Sequence, residues 1–149
     1  MPSTRTRVTR RIAADPTSTA LLLAGPTAFE LWPGVRRVAE VAGRVVVETD
    51  LSPDRSAAAS VRALPPKRTP TAYVTRFEWV GPGLPATTGE LLLTHAPAGL
   101  DGAAATLAEL VLTSEDLDLS AIDDRALERM AAGFVANLAK AAELRSRAA

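Results

Sequence analysis

The sequence contains no cysteine and a single histidine, His95, among its 149 residues. The lack of cysteine excludes disulfides and thiolate chemistry. With one histidine, a zinc site built from histidine and cysteine ligands is excluded as well. A Ser-His-Asp triad would have to use His95 as its base. We therefore expect neither a metal nor a cofactor, and we interpret the acidic run at Glu115, Asp116 and Asp118 as a solvated linker.

Long apolar runs and an excess of charge of one sign are also absent. The longest apolar runs, such as residues 20–25, are too short to span a bilayer. The arginine-rich start has no adjoining apolar segment typical of a signal peptide, so the expected location is cytoplasmic. The 17 basic and 17 acidic side chains cancel, and no aromatic residues interleave with the first arginines. No nucleic-acid partner is therefore expected.

What the sequence does have is enough apolar material for a core, at 47% of its residues, in one domain spanning residues 1–149. The clearest pattern is an apolar stripe over residues 120–147, with spacings of three and four residues. This spacing predicts one long amphipathic α-helix, with Ser120 as its N-cap and Asp123 in the first turn. Gly133 and Asn137 interrupt it, and close packing or room for a cavity would explain the glycine. The stripe consists of Leu127, Met130, Ala131, Phe134, Val135, Leu138, Ala141 and Ala142.

Before this helix, the pattern predicts a strand, two short helices and then a series of strands. Asp15 and Pro16 are typical of an N-cap and a first helical position. Prolines predict a loop over residues 65–70, because proline cannot donate to a ladder. Short turns between successive strands favour an antiparallel meander over parallel βαβ units. The predicted strands cover residues 6–12, 35–41, 44–51, 57–64, 71–80, 87–96 and 103–113, and the predicted short helices cover residues 16–24 and 27–31.

The strand over residues 71–80 alternates most clearly, and it holds three of the six aromatic residues of the chain. Its aromatic side chains are predicted to face inward, whereas Arg76 faces outward with the glutamates of neighbouring strands. Two interpretations of the aromatic face stay open: core packing beneath the helix, or a stacking wall for a planar ligand. The predicted inward sets are Val45, Val47 and Thr49; Tyr73, Thr75, Phe77 and Trp79; Gly89, Leu91, Leu93 and His95; and Thr106, Ala108, Leu110 and Leu112.

This order of elements, taken with particular residues, resembles the SRPBCC superfamily, also called START-like or Bet v1-like. One matching segment is residues 12–16, Ile-Ala-Ala-Asp-Pro, which lead into a leucine-rich helix. Another is residues 29–35, Phe-Glu-Leu-Trp-Pro-Gly-Val, which precede the second strand. The long helix, with Met130 and Phe134 on its inner face, also matches. The chain looks most like bacterial members known as polyketide cyclase/dehydrase proteins.

The resemblance implies an α+β helix-grip fold. In this fold a seven-stranded, antiparallel, curved sheet wraps around the long C-terminal helix, and two short helices lie between strands 1 and 2. The resemblance also implies a cavity between sheet and helix, with its mouth at the turns near residues 52–56 and 81–86. A concave apolar chamber with few polar anchors is the usual small-molecule site. The side chains expected to line it are Trp32, Tyr73, Thr75, Phe77, Trp79, Leu91, Leu93, Leu110, Met130 and Phe134.

Three functions are compatible with such a fold. The first is binding of a hydrophobic small molecule, lipid- or polyketide-like, without catalysis. The second is a polyketide cyclase or aromatase with Tyr73 and His95 as catalytic groups, although an enolate needs buried donors and Arg76 points outward. The third is a protein-interaction module with a filled interior. A homodimer is left open.

Overall fold

The structure is a computed structural model that describes residues 3–23, 26–41, 44–52, 55–63, 67–81, 84–97, 102–115 and 124–148. The helices are α1 (Pro16–Leu21), a short 3-10 helix (Pro26–Leu31) and the long α2 (Asp124–Ala148). The strands are β1 (Ser3–Ile12), β2 (Val35–Val41), β3 (Arg44–Ser52), β4 (Arg55–Ala63), β5 (Lys67–Arg68), β6 (Ala72–Gly81), β7 (Leu84–Ala96) and β8 (Ala105–Glu115). No helix in this described part of the chain is long and apolar enough to cross a membrane.

The strands form one antiparallel sheet in the order β1-β8-β7-β6-β4-β3-β2, and β5 pairs with β6 beside this path. Strands that follow each other in the chain are therefore mostly neighbours in the sheet. The exception is β1, which pairs with β8 from Ser3 opposite Glu115 to Ile12 opposite Thr106. The predicted antiparallel meander is confirmed, with the first strand added beside the last.

One predicted loop contains a short strand. In β5, Lys67 pairs with Val74 and Arg68 pairs with Tyr73, so the described sheet has eight strands where seven were expected. The prediction of a loop throughout residues 65–70 is wrong at these two positions. The prolines flank the paired residues without occupying their positions, so both residues keep the N–H group that a ladder requires.

The ends of several strands also differ from the prediction. β1 begins at Ser3 and β8 ends at Glu115, both beyond the predicted bounds. These two ends pair with each other, so each is extended by a partner that is distant in the sequence. Alternation of side chains along one strand carries no information about such pairing.

The two predicted short helices are present. The first is shorter than predicted, and the second is a 3-10 helix. Asp15 caps α1, where its carboxylate accepts a hydrogen bond of 3.0 Å from the Ser18 N–H. After Leu21 the chain makes tighter turns, since the Leu22 and Leu23 N–H groups bond three residues back instead of four. α1 therefore ends before residue 24, where the prediction ended it. The second short helix is a 3-10 helix that ends at Leu31, as predicted.

The long helix α2 turns its predicted stripe toward the sheet. Two stripe members, Met130 and Ala141, are half-buried, and Ala139 is a buried residue that the prediction left out. The predicted cap at Ser120 and Asp123 and the linker residues Asp116 and Asp118 lie outside the described residues. The buried members of the stripe are Leu127, Ala131, Phe134, Val135, Leu138 and Ala142.

The two residues that interrupt the stripe have structural roles at the contact with the 3-10 helix. A Cβ atom at Gly133 would collide with the ring of Pro33, so close packing explains the glycine. Asn137 donates a hydrogen bond of 2.7 Å from Nδ2 to the Leu31 carbonyl. Together they hold the end of the 3-10 helix, and with it Trp32, against α2.

At the end of the fold where β1 leads into α1, polar contacts hold the turn after β1 in place. The Thr106 hydroxyl is buried and donates a hydrogen bond of 2.6 Å to the Ala14 carbonyl. Glu143 of α2 accepts a hydrogen bond of 3.1 Å from the Ala13 N–H. These bonds join β1, β8 and α2 around the start of α1.

Candidate ligand-binding site

The inner face of the sheet carries the predicted aromatic row. Thr75, Phe77 and Trp79 are buried, Tyr73 is half-buried, and Arg76 between them is exposed. The next two strands continue this face with leucines. Residues directly opposite each other on antiparallel strands share a face, and Thr75 lies opposite Leu91, which lies opposite Leu110. The alternation therefore predicted the inner face of these strands correctly at all of these positions.

Five of the six aromatic side chains form one buried cluster between the sheet and α2, which we call the aromatic cluster. Trp32 lies at its centre, stacked on Phe134 with ring centroids 4.2 Å apart. It also makes edge contacts with Phe77 at 5.6 Å and with Trp79 at 5.3 Å. Phe29 contacts Trp79 at 6.5 Å. The members of the aromatic cluster are Phe29, Trp32, Phe77, Trp79 and Phe134.

Local structure explains how these rings meet. Phe29 and Trp32 are three residues apart in the 3-10 helix and its end, where the Trp32 N–H donates to the Phe29 carbonyl. That spacing places both rings on one side of the turn. The chain then reverses at Gly34, whose φ of 82° lies in the region that glycine adopts without strain. Phe77 and Trp79 come from alternate positions of β6, and Phe134 comes from the inner stripe of α2.

Both tryptophans bury an indole N–H that has no hydrogen-bond partner. The Nε1 atoms of Trp32 and Trp79 are the buried side-chain polar atoms of the described residues that lack one. The two residues are 2% and 5% exposed. Leaving a buried donor unsatisfied costs about 1–3 kcal/mol. Native proteins rarely leave such groups without a partner, and buried tryptophans usually bond through the indole nitrogen.

A second polar element lies beside Trp79. Thr87 of β7 is directly opposite Trp79, and Ser114 of β8 is directly opposite Thr87. Both hydroxyl side chains are buried, and the Thr87 hydroxyl donates a hydrogen bond of 3.3 Å to the Ser114 hydroxyl. The inner face at this end of the sheet thus combines an indole N–H with two hydroxyl groups.

Charged groups lie on the opposite face of the same strands. Arg76 bonds Glu90 at 3.2 Å, and Arg7 bonds Glu109 at 3.0 Å. These side chains border an open groove of about 440 Å³ on the outer face. The buried polar side chains of the described residues are all threonine or serine. In that part of the chain no group of histidine, cysteine or acidic residues is arranged to hold a metal ion.

The two predicted catalytic residues lie away from the aromatic cluster. Tyr73 is six residues from Trp79 along β6, about 20 Å at the rise of an antiparallel strand. Its hydroxyl shares a hydrogen bond of 3.0 Å with the Thr17 hydroxyl of α1. His95 lies opposite Thr106 at the end of the sheet, and its side chain is exposed. His95 is on the predicted face of β7, but it is the second-last residue of the strand and its side chain is exposed, so the prediction that it lies in the interior is wrong.

The predicted lining residues fall into three groups in the structure. The first group is in the aromatic cluster, where Trp32 contacts Phe77, Trp79 and Phe134. The other buried members of the inner face are Thr75, Leu91, Leu93 and Leu110. Tyr73 and Met130 are half-buried and pack against the core. The side chain of Thr49 and the residues of the predicted mouth at 53–54 and 82–83 lie outside the description.

Sequence reasoning missed Phe29, Thr87 and Ser114. Phe29 had a signal, since it lies one helical turn before Trp32. Thr87 continues the alternation of Gly89 and Leu91, which indicates the inner face. Ser114 lies one residue beyond the predicted end of its strand, so its face was not considered.

No protein-family model matches the sequence. No curated protein matches it either. Solved structures do match the fold over almost the whole chain, with sequence identities of 12–15%.

Ara h 8.0201 has a TM-score of 0.62 and 12% identity, with 95% of this chain and 98% of that chain covered. A conserved protein from Geobacillus kaustophilus has a TM-score of 0.64 and 12% identity, with 92% and 93% covered. The chain has a helix-grip fold. The di-domain ARO/CYC StfQ of the steffimycin biosynthetic pathway shares this fold, with a TM-score of 0.60 and 15% identity. That match covers 97% of this chain and 52% of StfQ, so the chain spans about half the length of StfQ.

This fold is the one that the resemblance inferred from the sequence implies. It confirms the α+β helix-grip architecture, apart from the additional strand β5. At these identities the likeness describes the fold alone.

Proposed function

We propose that this chain binds a hydrophobic small molecule, lipid- or polyketide-like, between the sheet and α2. The aromatic cluster is the observation that supports this best, because it joins the 3-10 helix, β6 and α2 across the space between sheet and helix. Rings and leucines with a few hydroxyl and indole groups are the composition of a typical small-molecule site. The description of StfQ as an ARO/CYC supports a polyketide-like ligand for a protein of this fold.

Two substitutions in β6 allow a matched test. Thr75 is buried on the inner face and Val74 precedes it on the outer face. Phenylalanine at Thr75 would add a ring inside the proposed site, whereas phenylalanine at Val74 would add the same ring outside. We expect native mass spectrometry of the purified protein to detect a co-purified ligand that is retained in Val74→Phe and lost in Thr75→Phe. The absence of any adduct, together with no binding of added acetonaphthone, would contradict the proposal.

A polyketide cyclase or aromatase is the second candidate, and the likeness to StfQ is what favours it. The Tyr73 hydroxyl is partnered by Thr17 and His95 is exposed, so the support from these residues is weak. Incubation with a linear poly-β-ketone thioester tests it. Enzyme-dependent formation of a cyclised product, lost in Tyr73→Phe, would favour catalysis over simple binding.

A protein-interaction module with a filled interior is the third candidate, and the direct contacts within the aromatic cluster favour it. In a filled interior, Thr75→Phe should destabilise the fold by about 1–3 kcal/mol through overpacking. In a fold with a ligand cavity, the ring should be accommodated and the unfolding free energy should stay close to that of Val74→Phe. Urea denaturation of both variants separates these cases. A cytoplasmic location and the choice between monomer and homodimer stay predictions.

A further inference from the structure

We propose that the indole N–H groups of Trp32 and Trp79 donate hydrogen bonds to an uncharged oxygen acceptor on the bound molecule. A ketone, ester, amide or hydroxyl oxygen would satisfy them. This inference rests on the proposed function, and it adds the chemical class of the ligand and the two atoms that select it.

Both indole N–H donors are present without an acceptor. Each Nε1 atom is buried and has no hydrogen-bond partner. The two rings meet edge to face at 81°. The contacts of Trp32 with Phe77 and of Trp79 with Phe29 are also edge to face, so these neighbours offer the N–H groups at most a ring face. A ring face is also a much weaker acceptor than oxygen.

The positions of the charged side chains bear on which acceptors the site can hold. Every lysine and arginine side chain whose burial is described is exposed, and the buried polar side chains of that part of the chain are threonine and serine. A carboxylate or phosphate bound beside Trp32 would therefore lose its hydration without gaining a cation from these described side chains. Burial of an unpaired charge is strongly unfavourable, whereas a neutral oxygen needs only hydrogen-bond donors. The site therefore favours neutral acceptors.

The distribution of hydroxyl groups on the inner face bears on the orientation of the bound molecule. Trp79 lies in the same row as the buried hydroxyl groups of Thr87 and Ser114, whereas leucines and Thr75 occupy the inner face toward Tyr73. The polar group of the ligand therefore lies at the Trp79 end of the sheet. Its apolar part extends along β6 and β7 toward Tyr73.

Nuclear magnetic resonance of isotope-labelled protein tests the inference directly. The chain has only 2 tryptophans, so a proton–nitrogen correlation spectrum contains two indole signals, one for each donor. Acetonaphthone carries a carbonyl oxygen, and isopropenylnaphthalene has the same shape with a methylene group in its place. We expect the indole protons to move downfield with acetonaphthone and not with isopropenylnaphthalene. Indole signals that respond identically to both probes would overturn the inference.

Substitution of the donors provides a second, independent measurement. Trp32→Phe and Trp79→Phe each remove an N–H and keep an aromatic ring. We expect each to weaken acetonaphthone binding about tenfold more than isopropenylnaphthalene binding. The matched control is Phe29→Leu, which alters the aromatic cluster without removing a donor and should weaken both probes equally. If a tryptophan variant does not fold, the spectrum of the unmodified protein still decides.

The outcomes separate this inference from the proposed function. If neither naphthalene probe binds and native mass spectrometry detects no co-purified ligand, the proposed function fails. If both bind and the tryptophan substitutions weaken both to the same extent, the binding function stands and the inference fails. Naphthoate, which replaces the ketone by a carboxylate, should bind more weakly than acetonaphthone. Tighter binding of naphthoate would overturn the assignment of a neutral acceptor.

Discussion

The two faces of β6, β7 and β8 differ although their residues alternate along the same strands. On the outer face, Arg76 bonds Glu90 and Arg7 bonds Glu109 beside an open groove. On the inner face, one residue away in each strand, aromatic rings and leucines are buried against α2 and the 3-10 helix. On the outer face these charged groups pair with each other. The inner face keeps two N–H donors unsatisfied.

This difference shows where stability and selectivity are located. Exposed ion pairs contribute little to the free energy of unfolding, because water and salt screen them. Buried rings contribute several times more, because their removal leaves a cavity. Unsatisfied donors on the stabilising face are unfavourable for folding, and the proposed acceptor would satisfy them. The following predictions compare the two faces.

The largest effect is expected at Phe134, whose ring stacks on Trp32. Phe134→Ala should lower the unfolding free energy by about 3–5 kcal/mol. Leu144→Ala is the control, because Leu144 belongs to the same helix and is 56% exposed. It should change stability by less than about 0.5 kcal/mol. Urea denaturation followed by circular dichroism measures both, and equal losses would contradict the assignment of inner and outer faces of α2.

A smaller effect is expected from added volume on the inner face. A Cβ at Gly89 would lie 2.7 Å from Leu112 Cδ2 and 3.6 Å from Phe77 Cδ2. Gly89→Val should therefore destabilise the fold by about 1–3 kcal/mol through overpacking. Thr88→Val, at the exposed neighbouring position, should be close to neutral in the same urea titration. A stabilised Gly89→Val variant would indicate free space beside Phe77.

Substitution of Thr106 tests how much a buried hydrogen bond at the inner face contributes to stability. Thr106→Val keeps the side-chain shape and leaves the Ala14 carbonyl without its donor. We expect a loss of about 1–2 kcal/mol in the thermal or urea unfolding free energy. The control is Thr94→Val, which removes an exposed hydrogen bond of 3.4 Å from the Thr94 hydroxyl to the Leu107 carbonyl. Its loss should be smaller, since water replaces the donor there.

The smallest effect is expected on the outer face. A double-mutant cycle of Arg76→Ala and Glu90→Ala should give a coupling energy of about 0.2–1 kcal/mol. The coupling should decrease as salt is added, because both side chains are more than half exposed. A coupling as large as the loss from Thr106→Val would remove the energetic difference between the two faces.

Much of the fold follows from patterns within single elements. The stripe of α2, the alternation of β6 and the cap at Asp15 each depend on residues a few positions apart, and the structure confirms them. Strand β5 was missed because its pairing depends on β6 as a partner. His95 was assigned to the interior because alternation identifies the face of a strand and carries no information about what covers that face.

For the candidate site, the sequence determined by itself which side chains could share an inner face, because periods of two and 3.6 residues are properties of the backbone. It identified Phe77, Trp79 and Phe134 in this way, whereas Trp32 was a candidate through the family resemblance. Only the tertiary structure decided that their rings meet and that two indole N–H groups are enclosed without an acceptor. The physical reason is that contact and hydrogen-bond satisfaction depend on elements distant in the sequence, whereas the direction of a side chain depends on its own strand or helix.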